Sequence, residues 1–171
     1  MLLNGASSSG KTAIARCLQG LYEEPWLRMG VDALRTMVPP DRSMEAPGEL
    51  VVMPGVRRAV RAMADAGVDV VVDDIILERA WLVDWAAALD GVSAWIVGVR
   101  CPAAVVRERM RLRGDGVAGD GVAHVPAVHA HSDYDVEVDT SLATPDHCAR
   151  RIADHVASHP PRVLHRLLKV K

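Results

Sequence analysis

Short apolar runs and longer stretches of mixed polarity alternate along the whole 171-residue chain. The short runs are rich in valine, leucine and isoleucine, as expected for buried strands of a parallel sheet. In the longer stretches apolar residues recur at helical spacing, which is typical of helices with one buried face. Strands are expected at residues 2–4, 26–31, 68–74, 94–99 and 134–138. Helices are expected at residues 12–21, 56–66, 79–89, 102–111 and 144–158, the last with Thr144 as its N-cap.

This alternation predicts an α/β fold of three layers, in which about five parallel strands form a sheet flanked by helices. Ligands of such sheets bind at the carboxyl ends of the strands. We expect one domain at residues 1–158 and a basic tail at residues 159–171. Two segments lack a period, the proline-rich connection 38–55 and the glycine-rich segment 112–123. The first is expected to be an irregular loop, and the second a short lid over the site.

The segment between the first strand and the first helix carries the strongest motif. Residues 5–12 read Gly-Ala-Ser-Ser-Ser-Gly-Lys-Thr, which matches the phosphate-binding loop G-x-x-x-x-G-K-[ST] of the P-loop NTPase fold. Its backbone N–H groups, at the start of a helix, are expected to bind the phosphates of ATP. Lys11 is expected to reach the β- and γ-phosphates, and the Thr12 hydroxyl to ligate Mg²⁺. The expected nucleotide-binding residues of the loop are Gly5, Ala6, Ser7, Ser8, Ser9, Gly10, Lys11 and Thr12.

Three aspartates end predicted strands at the same edge of the sheet as this loop. Asp73 and Asp74 close the strand 68–74, where one of them is expected to be a partner of Mg²⁺. Asp32 follows the second strand, where a carboxylate can accept the proton of an acceptor hydroxyl. For each position the alternative is a capping role at the start of the next helix. The chain lacks the N-K-x-D pattern that reads guanine, so ATP is the expected donor.

Arginines precede and enter the predicted lid. Arginines carried by a closing lid neutralise charge that develops on a transferred phosphoryl group. Arg113 is expected to take this catalytic role, and Arg109 is placed among the nucleotide-binding residues. Arg107 and Arg111 are more typical of a solvated helix face.

Composition and charge narrow the class of protein. A formal net charge of −2 and a pI near 6.4 provide no general basic field for nucleic acid. No apolar run reaches the roughly 18 to 20 residues that span a bilayer, and no signal-peptide pattern is present, so a cytoplasmic enzyme is expected. The three cysteines have no metal or redox spacing and are expected to be buried thiols. We interpret His124, His129 and His131 as loop histidines, because their spacing matches no metal-ligand pattern.

These motifs resemble those of chloramphenicol phosphotransferases, small P-loop kinases that inactivate an antibiotic. The similarity runs in register from residue 2 to residue 140, and its specific parts are Gly30-Val-Asp32 and the block 134–140, since many kinases share the P-loop. The matching stretches are Leu3-Asn-Gly-Ala-Ser-Ser-Ser-Gly-Lys-Thr12, Arg16-Cys-Leu-Gln19, Pro25-Trp-Leu27, Gly30-Val-Asp32, Val71-Val-Asp-Asp74, Val97-Gly-Val-Arg-Cys101, Arg113-Gly-Asp115, Val117-Ala-Gly119 and Tyr134-Asp-Val-Glu-Val-Asp-Thr140.

The resemblance implies a sheet like that of shikimate and nucleotide kinases, MgATP as donor, and transfer to a primary hydroxyl of an amphenicol-like antibiotic. It also implies that Asp32 is the base and that Arg113 faces the phosphates. The residues it places near the adenine are Val138, Asp139 and Thr140.

This chain departs from the family pattern in two places. Gly116 stands where the family has a second lid arginine, and the connection 38–55 is shorter than expected. The first strand is short for a central strand, so the native start is expected upstream.

Two other functions fit the same sequence. A metabolic kinase acting on a nucleoside, sugar or shikimate-like acid would bind an anionic acceptor through Arg57, Arg58 and Arg61. A non-catalytic ATP-binding module would contact a partner through its basic tail. The identity of the hydroxylated small-molecule acceptor and the formation of homo-oligomers stay open at this point.

Overall fold

Five parallel strands form the centre of the molecule. The computed structural model describes residues 1–39, 41–42, 51–113, 119–131 and 133–169, and at residues 32, 35, 119 and 120 this description covers the backbone alone. The strands are β1 (Leu2–Asn4), β2 (Leu27–Gly30), β3 (Val70–Asp74), β4 (Ile96–Arg100) and β5 (Val136–Asp139). Their order across the sheet is β2-β3-β1-β4-β5, which places β1 in the centre. The predicted α/β fold with a five-stranded parallel sheet is confirmed.

Helices cover both faces of this sheet. They are α1 (Lys11–Leu21), α2 (Val31–Arg35), α3 (Met53–Asp65), α4 (Arg79–Ala88), α5 (Ala103–Arg113), α6 (Gly119–Ala127), α7 (Pro145–Ser158) and α8 (Val163–Leu167). None of these helices combines the length and the apolar character that crossing a membrane requires.

Successive strand residues point to opposite faces, so the apolar strands supply two cores. Leu3 and Val71 pack with α1 and α7 on one face. Leu2 and Val72 pack with α3, α4 and α8 on the other. The runs are apolar throughout because both faces are covered.

The start of α7 is fixed by its predicted cap. The Thr144 hydroxyl accepts a hydrogen bond from the His147 N–H at 3.3 Å, and Pro145 occupies the first turn. Threonine satisfies an N–H that has no partner within the helix, and proline has no N–H to satisfy. The cap prediction is confirmed.

The segment 112–123 contains more helix than its glycines suggest. Leu112 and Arg113 belong to α5, and residues 119–123 begin α6, so these residues are helical although the segment has no clear period. Residues 114–118 lie outside the described structure, and the lid stays a prediction. A Cβ added at Gly121 would lie 2.8 Å from the Met110 sulfur and 3.3 Å from Cβ of Ser7. Glycine therefore lets α6 approach both α5 and the P-loop, and this packing outweighs low helix propensity.

Part of the predicted basic tail belongs to the core. Val163 and Leu164 on α8 are buried and pack in the core beside α4. The buried Asp135 carboxylate accepts hydrogen bonds from the backbone N–H groups of Arg162 and Val163, at 2.9 and 3.1 Å. These contacts attach residues 162–164 to the sheet, although the segment was predicted to be a basic tail.

Candidate active site

The P-loop connects β1 to α1 at the carboxyl edge of the sheet. Ser8 and Gly10 have positive φ angles of 59° and 100°, in the left-handed region. The Lys11 ammonium donates to the carbonyls of Gly5 and Ala6 at 2.8 and 2.9 Å. The Ser8 and Ser9 hydroxyls are buried and have no hydrogen-bond partner among the described residues. A strained loop with unsatisfied hydroxyls and a cation fits a ligand rich in oxygen, such as a polyphosphate.

Thr12 and Asp73 meet where the sheet faces this loop. The Thr12 hydroxyl donates to Oδ2 of Asp73 at 2.7 Å. This bond leaves the lone pairs of the Thr12 oxygen to ligate a cation, with the Asp73 carboxylate beside it. The predicted metal-site pair is therefore brought together, and its donors suit Mg²⁺, which prefers oxygen ligands.

A cation that the sequence analysis did not identify joins this pair. Nη1 of Arg28, on β2, lies 3.4 Å from Oδ2 of Asp73. The sequence feature that could have identified Arg28 is a charged residue inside a short strand that ends at the carboxyl edge of the sheet.

Asp74 has a different environment from its neighbour. Its two carboxylate oxygens accept hydrogen bonds from the backbone N–H of Ile75 and from Nε1 of Trp85, both at 2.8 Å. Burial raises the pKa of Asp74, and the charges of Lys11 and Arg57 together with both hydrogen bonds oppose this shift. Asp74 thus faces α4, because consecutive strand residues point to opposite sides. Of the two aspartates predicted for the metal, Asp73 is the one that contacts Thr12.

Arg109 and Thr140 meet on the other side of the P-loop. The Arg109 guanidinium donates to the Thr140 carbonyl at 2.7 Å and to its hydroxyl at 2.9 Å. The Thr140 hydroxyl donates to the Ser9 carbonyl at 2.6 Å. Val138 is buried in the core, and the Asp139 carboxylate accepts from the N–H and hydroxyl of the nearby Ser141. Of the three residues predicted near the adenine, Thr140 is the one in contact with the P-loop.

A buried polar network joins β1 to the segment after α6. The Asn4 amide donates to the Val128 carbonyl at 2.8 Å and to the Tyr134 hydroxyl at 3.0 Å. Nδ1 of His129 lies 2.7 Å from that hydroxyl. Burial, aided by the charge of Arg100, lowers the pKa of His129 to about 4, so its ring is neutral at physiological pH. Sequence reasoning missed this network because its members are far apart in the chain.

The remaining predicted residues lie around the same edge. Asp32 is the second residue of α2, directly after β2, and Gly30 pairs with Asp73 in the sheet register. Residue 32 therefore lies two positions after the residue that pairs with Asp73. Arg113 is the last residue of α5 and is exposed, while Gly116 lies outside the described residues.

The arginine cluster of α3 does not act as one surface. Arg57 is buried, with its guanidinium 5.6 Å from the Trp85 ring centroid and 3.6 Å from the Asp84 carboxylate. Arg61 donates to two backbone carbonyls near the end of α4, at 2.8 and 3.3 Å. Arg58 is exposed. The structure thus separates the three arginines expected to bind an anionic acceptor.

The fold and these contacts define a P-loop phosphotransferase. A phosphate loop on the central strand, a Thr–Asp pair for a metal ion and an aspartate position at the next strand end form one contiguous edge. The chain belongs to the chloramphenicol phosphotransferase-like family, whose sequence profile matches residues 1–157. It is a kinase-type enzyme.

Curated relatives agree with this class, and solved structures agree with the fold. Two proteins of Mycobacterium tuberculosis, from strains CDC 1551 and H37Rv and both named as candidate O-phosphotransferases, are 35% identical over 197 aligned residues, covering 99% of this chain and 87% of each relative. The APS kinase of M. tuberculosis, solved with AMPPNP and APS, has a TM-score of 0.70 at 17% identity, covering 92% of this chain and 96% of that structure. A sugar kinase of Janibacter sp. has a TM-score of 0.69 at 19% identity, with 91% and 92% covered. At these identities the two structures support the fold alone.

Gly30→Ala is expected to disrupt the Thr12–Asp73 pair. A Cβ at this position would lie 2.2 Å from Oδ1 of Asp73 and 2.7 Å from Nη1 of Arg28. The short, buried Asp73 side chain must then shift, which separates Oδ2 from Thr12. We expect kcat to fall by about tenfold or more, with about 1 to 3 kcal/mol lost in the free energy of unfolding.

Gly20→Ala is the matched control for this substitution. Gly20 lies on α1, and a Cβ there meets nothing within 4 Å. The control is expected to keep kcat and to gain up to about 1 kcal/mol of stability, because alanine favours helix. Full kcat in Gly30→Ala, measured with the same acceptor, would show that the Asp73 position tolerates this shift.

Proposed function

We propose that this enzyme is an ATP-dependent O-phosphotransferase that phosphorylates a hydroxyl of a small-molecule antibiotic of the chloramphenicol type and so inactivates it. The observation that carries the proposal is the Thr12–Asp73 contact beside a complete P-loop, one strand away from the position of Asp32. This arrangement has a donor half and an acceptor half along one edge of the sheet.

The donor half consists of the P-loop and its neighbours. Lys11 exchanges its two loop carbonyls for the β- and γ-phosphates of ATP, and the Ser8 and Ser9 hydroxyls gain acceptors. Thr12 and Asp73 would hold Mg²⁺, which would neutralise charge on the phosphates. Arg109, next to Thr140, lies on the nucleotide side of the loop.

The acceptor half begins at α2. Asp32 orients the acceptor hydroxyl and takes its proton as the acceptor oxygen attacks the γ-phosphorus. The bond from the γ-phosphorus to the β,γ-bridging oxygen breaks, and ADP leaves with that oxygen. Arg113, at the end of α5, neutralises charge on the transferred group.

Two observations favour an antibiotic acceptor over an anionic metabolite. The family to which the chain belongs is described as chloramphenicol phosphotransferase-like. An anionic acceptor would need the three α3 arginines together, but Arg57 and Arg61 have separate partners and Arg58 is exposed. A neutral, hydroxylated acceptor requires no such cluster.

Acceptor-dependent release of ADP tests the proposal. Chloramphenicol and other hydroxylated antibiotics are incubated with MgATP and enzyme, in parallel with sugars, nucleosides and shikimate. We expect one antibiotic to stimulate ADP release by about tenfold or more over the acceptor-free rate, with phosphate recovered on that compound. Stimulation only by a sugar, nucleoside or acid would assign the enzyme to metabolism, and no stimulation of folded, ATP-binding protein would favour the non-catalytic module.

A further inference from the structure

Arg28 has an unusual place for an arginine of an edge strand. Its side chain is 25% exposed and ends 3.4 Å from the Asp73 carboxylate. A Cβ at Gly30 would lie within 2.7 Å of its Nη1, so the side chain passes over the backbone of the last residue of β2. The guanidinium therefore lies beside the Thr12–Asp73 pair and over Gly30, the residue that directly precedes α2.

Other cations near the site have different partners. Lys11 is held by P-loop carbonyls, Arg109 by Thr140, and Arg57 packs against Trp85. Within the described ranges, Arg28 is the cation at ion-pair distance from the Asp73 carboxylate. Its positive charge thus lies beside Asp73, at the boundary between the donor and acceptor halves.

The contact between Arg28 and Asp73 is weak in its geometry. The Thr12 hydroxyl is 2.7 Å from Oδ2 of Asp73, whereas Nη1 of Arg28 is 3.4 Å from the same atom. Charge-assisted hydrogen bonds of good geometry are shorter, about 2.7 to 2.9 Å. The guanidinium is consequently held near Asp73 without being locked to it, and a better anion can draw it away.

We propose that Arg28 is a further catalytic residue of the phosphotransfer centre, an inference that rests on the proposed function. Arg28 pairs with Asp73 before the nucleotide binds. During transfer it donates to an oxygen of the γ-phosphoryl group, as the bond to the bridging oxygen of ADP breaks and the bond to the acceptor oxygen forms. Asp32 takes the acceptor proton, and Arg28 keeps its charge throughout.

The same position has a second consequence for metal binding. Arg28 and a cation held by Thr12 both interact with the Asp73 carboxylate, so the two positive charges compete for it and repel each other. Arg28 is thus expected to weaken Mg²⁺ binding while it accelerates transfer. A residue that merely supports the fold would affect both properties in the same direction.

Arg28→Met tests both consequences because methionine keeps an unbranched side chain and removes the charge. We expect kcat to fall by about 10²-fold or more, in the range of losses seen when a donor to a transition-state oxygen is removed. The affinity for ADP is measured by calorimetry in EDTA and in Mg²⁺, without acceptor. We expect the gain in ADP affinity caused by Mg²⁺ to rise by about three- to tenfold.

Two further variants complete the experiment. Arg28→Lys keeps the charge, so we expect its kcat to lie within about fivefold of wild type. The Mg²⁺ effect, which is the gain in ADP affinity caused by Mg²⁺, is expected to lie within about twofold of wild type. Arg150→Met removes an exposed arginine of α7 and is expected to change neither property.

Three results would overturn the role of Arg28. They are a kcat of Arg28→Met within about threefold of wild type, a Mg²⁺ effect that stays the same or decreases, and an Arg28→Lys variant as slow as Arg28→Met. The calorimetry needs no acceptor, so it tests Arg28 even if no antibiotic is phosphorylated. A wild type without acceptor-dependent turnover would instead count against the proposed function.

Discussion

Asp32→Asn is expected to lower kcat by about 10²- to 10⁴-fold while ATP still binds. Asparagine has nearly the same shape but cannot accept the acceptor proton, and loss of a general base typically costs this much. The affinity for ATP should stay within about twofold, because the P-loop residues that hold the phosphates are unchanged. Steady-state kinetics with the acceptor from the screen, together with ATP titration by calorimetry, measures both quantities.

The substitution to asparagine also separates catalysis from capping. Gly30 is the N-cap of α2, and residue 32 lies in the first turn of this helix. If the only role of Asp32 were to stabilise the start of the helix, asparagine would serve nearly as well and kcat would stay unchanged. Lys11→Met is the complementary variant and should weaken ATP binding. Asp154→Asn, an exposed change on α7, should leave both values as in wild type.

Asp135→Ala is expected to lower the free energy of unfolding by about 3 kcal/mol or more. The Asp135 carboxylate accepts from the N–H groups of Ile96, Arg162 and Val163 at 2.9, 2.9 and 3.1 Å. Each donor left without a partner in a buried position costs about 1 to 3 kcal/mol. Urea denaturation followed by circular dichroism provides the free energy of unfolding and its urea dependence.

Asp133→Ala is the control for this loss. Its carboxylate is exposed and lies 3.4 Å from the Arg166 guanidinium, a surface pair worth about 0 to 1 kcal/mol. A loss below about 1 kcal/mol in Asp135→Ala would mean that α8 is held by Val163 and Leu164 alone. In that case replacing Leu164 by alanine should be the more damaging change, by about 2 to 5 kcal/mol.

Strands were the elements that the sequence predicted most directly. Each of the five expected strands overlaps a strand of the sheet, with ends that differ by one or a few residues. A parallel strand covered on both faces needs apolar side chains at nearly every position, and this signal is local. The helices α1, α3, α4, α5 and α7 followed from their own spacing in the same way.

Three helices, α2, α6 and α8, were not among those expected, and distant contacts stabilise the last two. Gly121 lets α6 pack against Met110 and the P-loop, and glycine is otherwise read as a helix breaker. Asp135 accepts a hydrogen bond from the first residue of α8, a helix within the segment that was predicted to be a basic tail. Neither contact can be inferred from spacing along the chain.

The sequence by itself determined the phosphate-loop motif of this enzyme. The P-loop is a continuous motif in which each residue type has a typical role, so the roles of Lys11 and Thr12 could be predicted without coordinates. Only the tertiary structure decided that Asp73 contacts Thr12 while Asp74 faces Trp85, and that Arg28 reaches Asp73 from the neighbouring strand. The reason is that adjacent strand residues point to opposite faces, and that the order β2-β3-β1-β4-β5 is set by packing between distant segments.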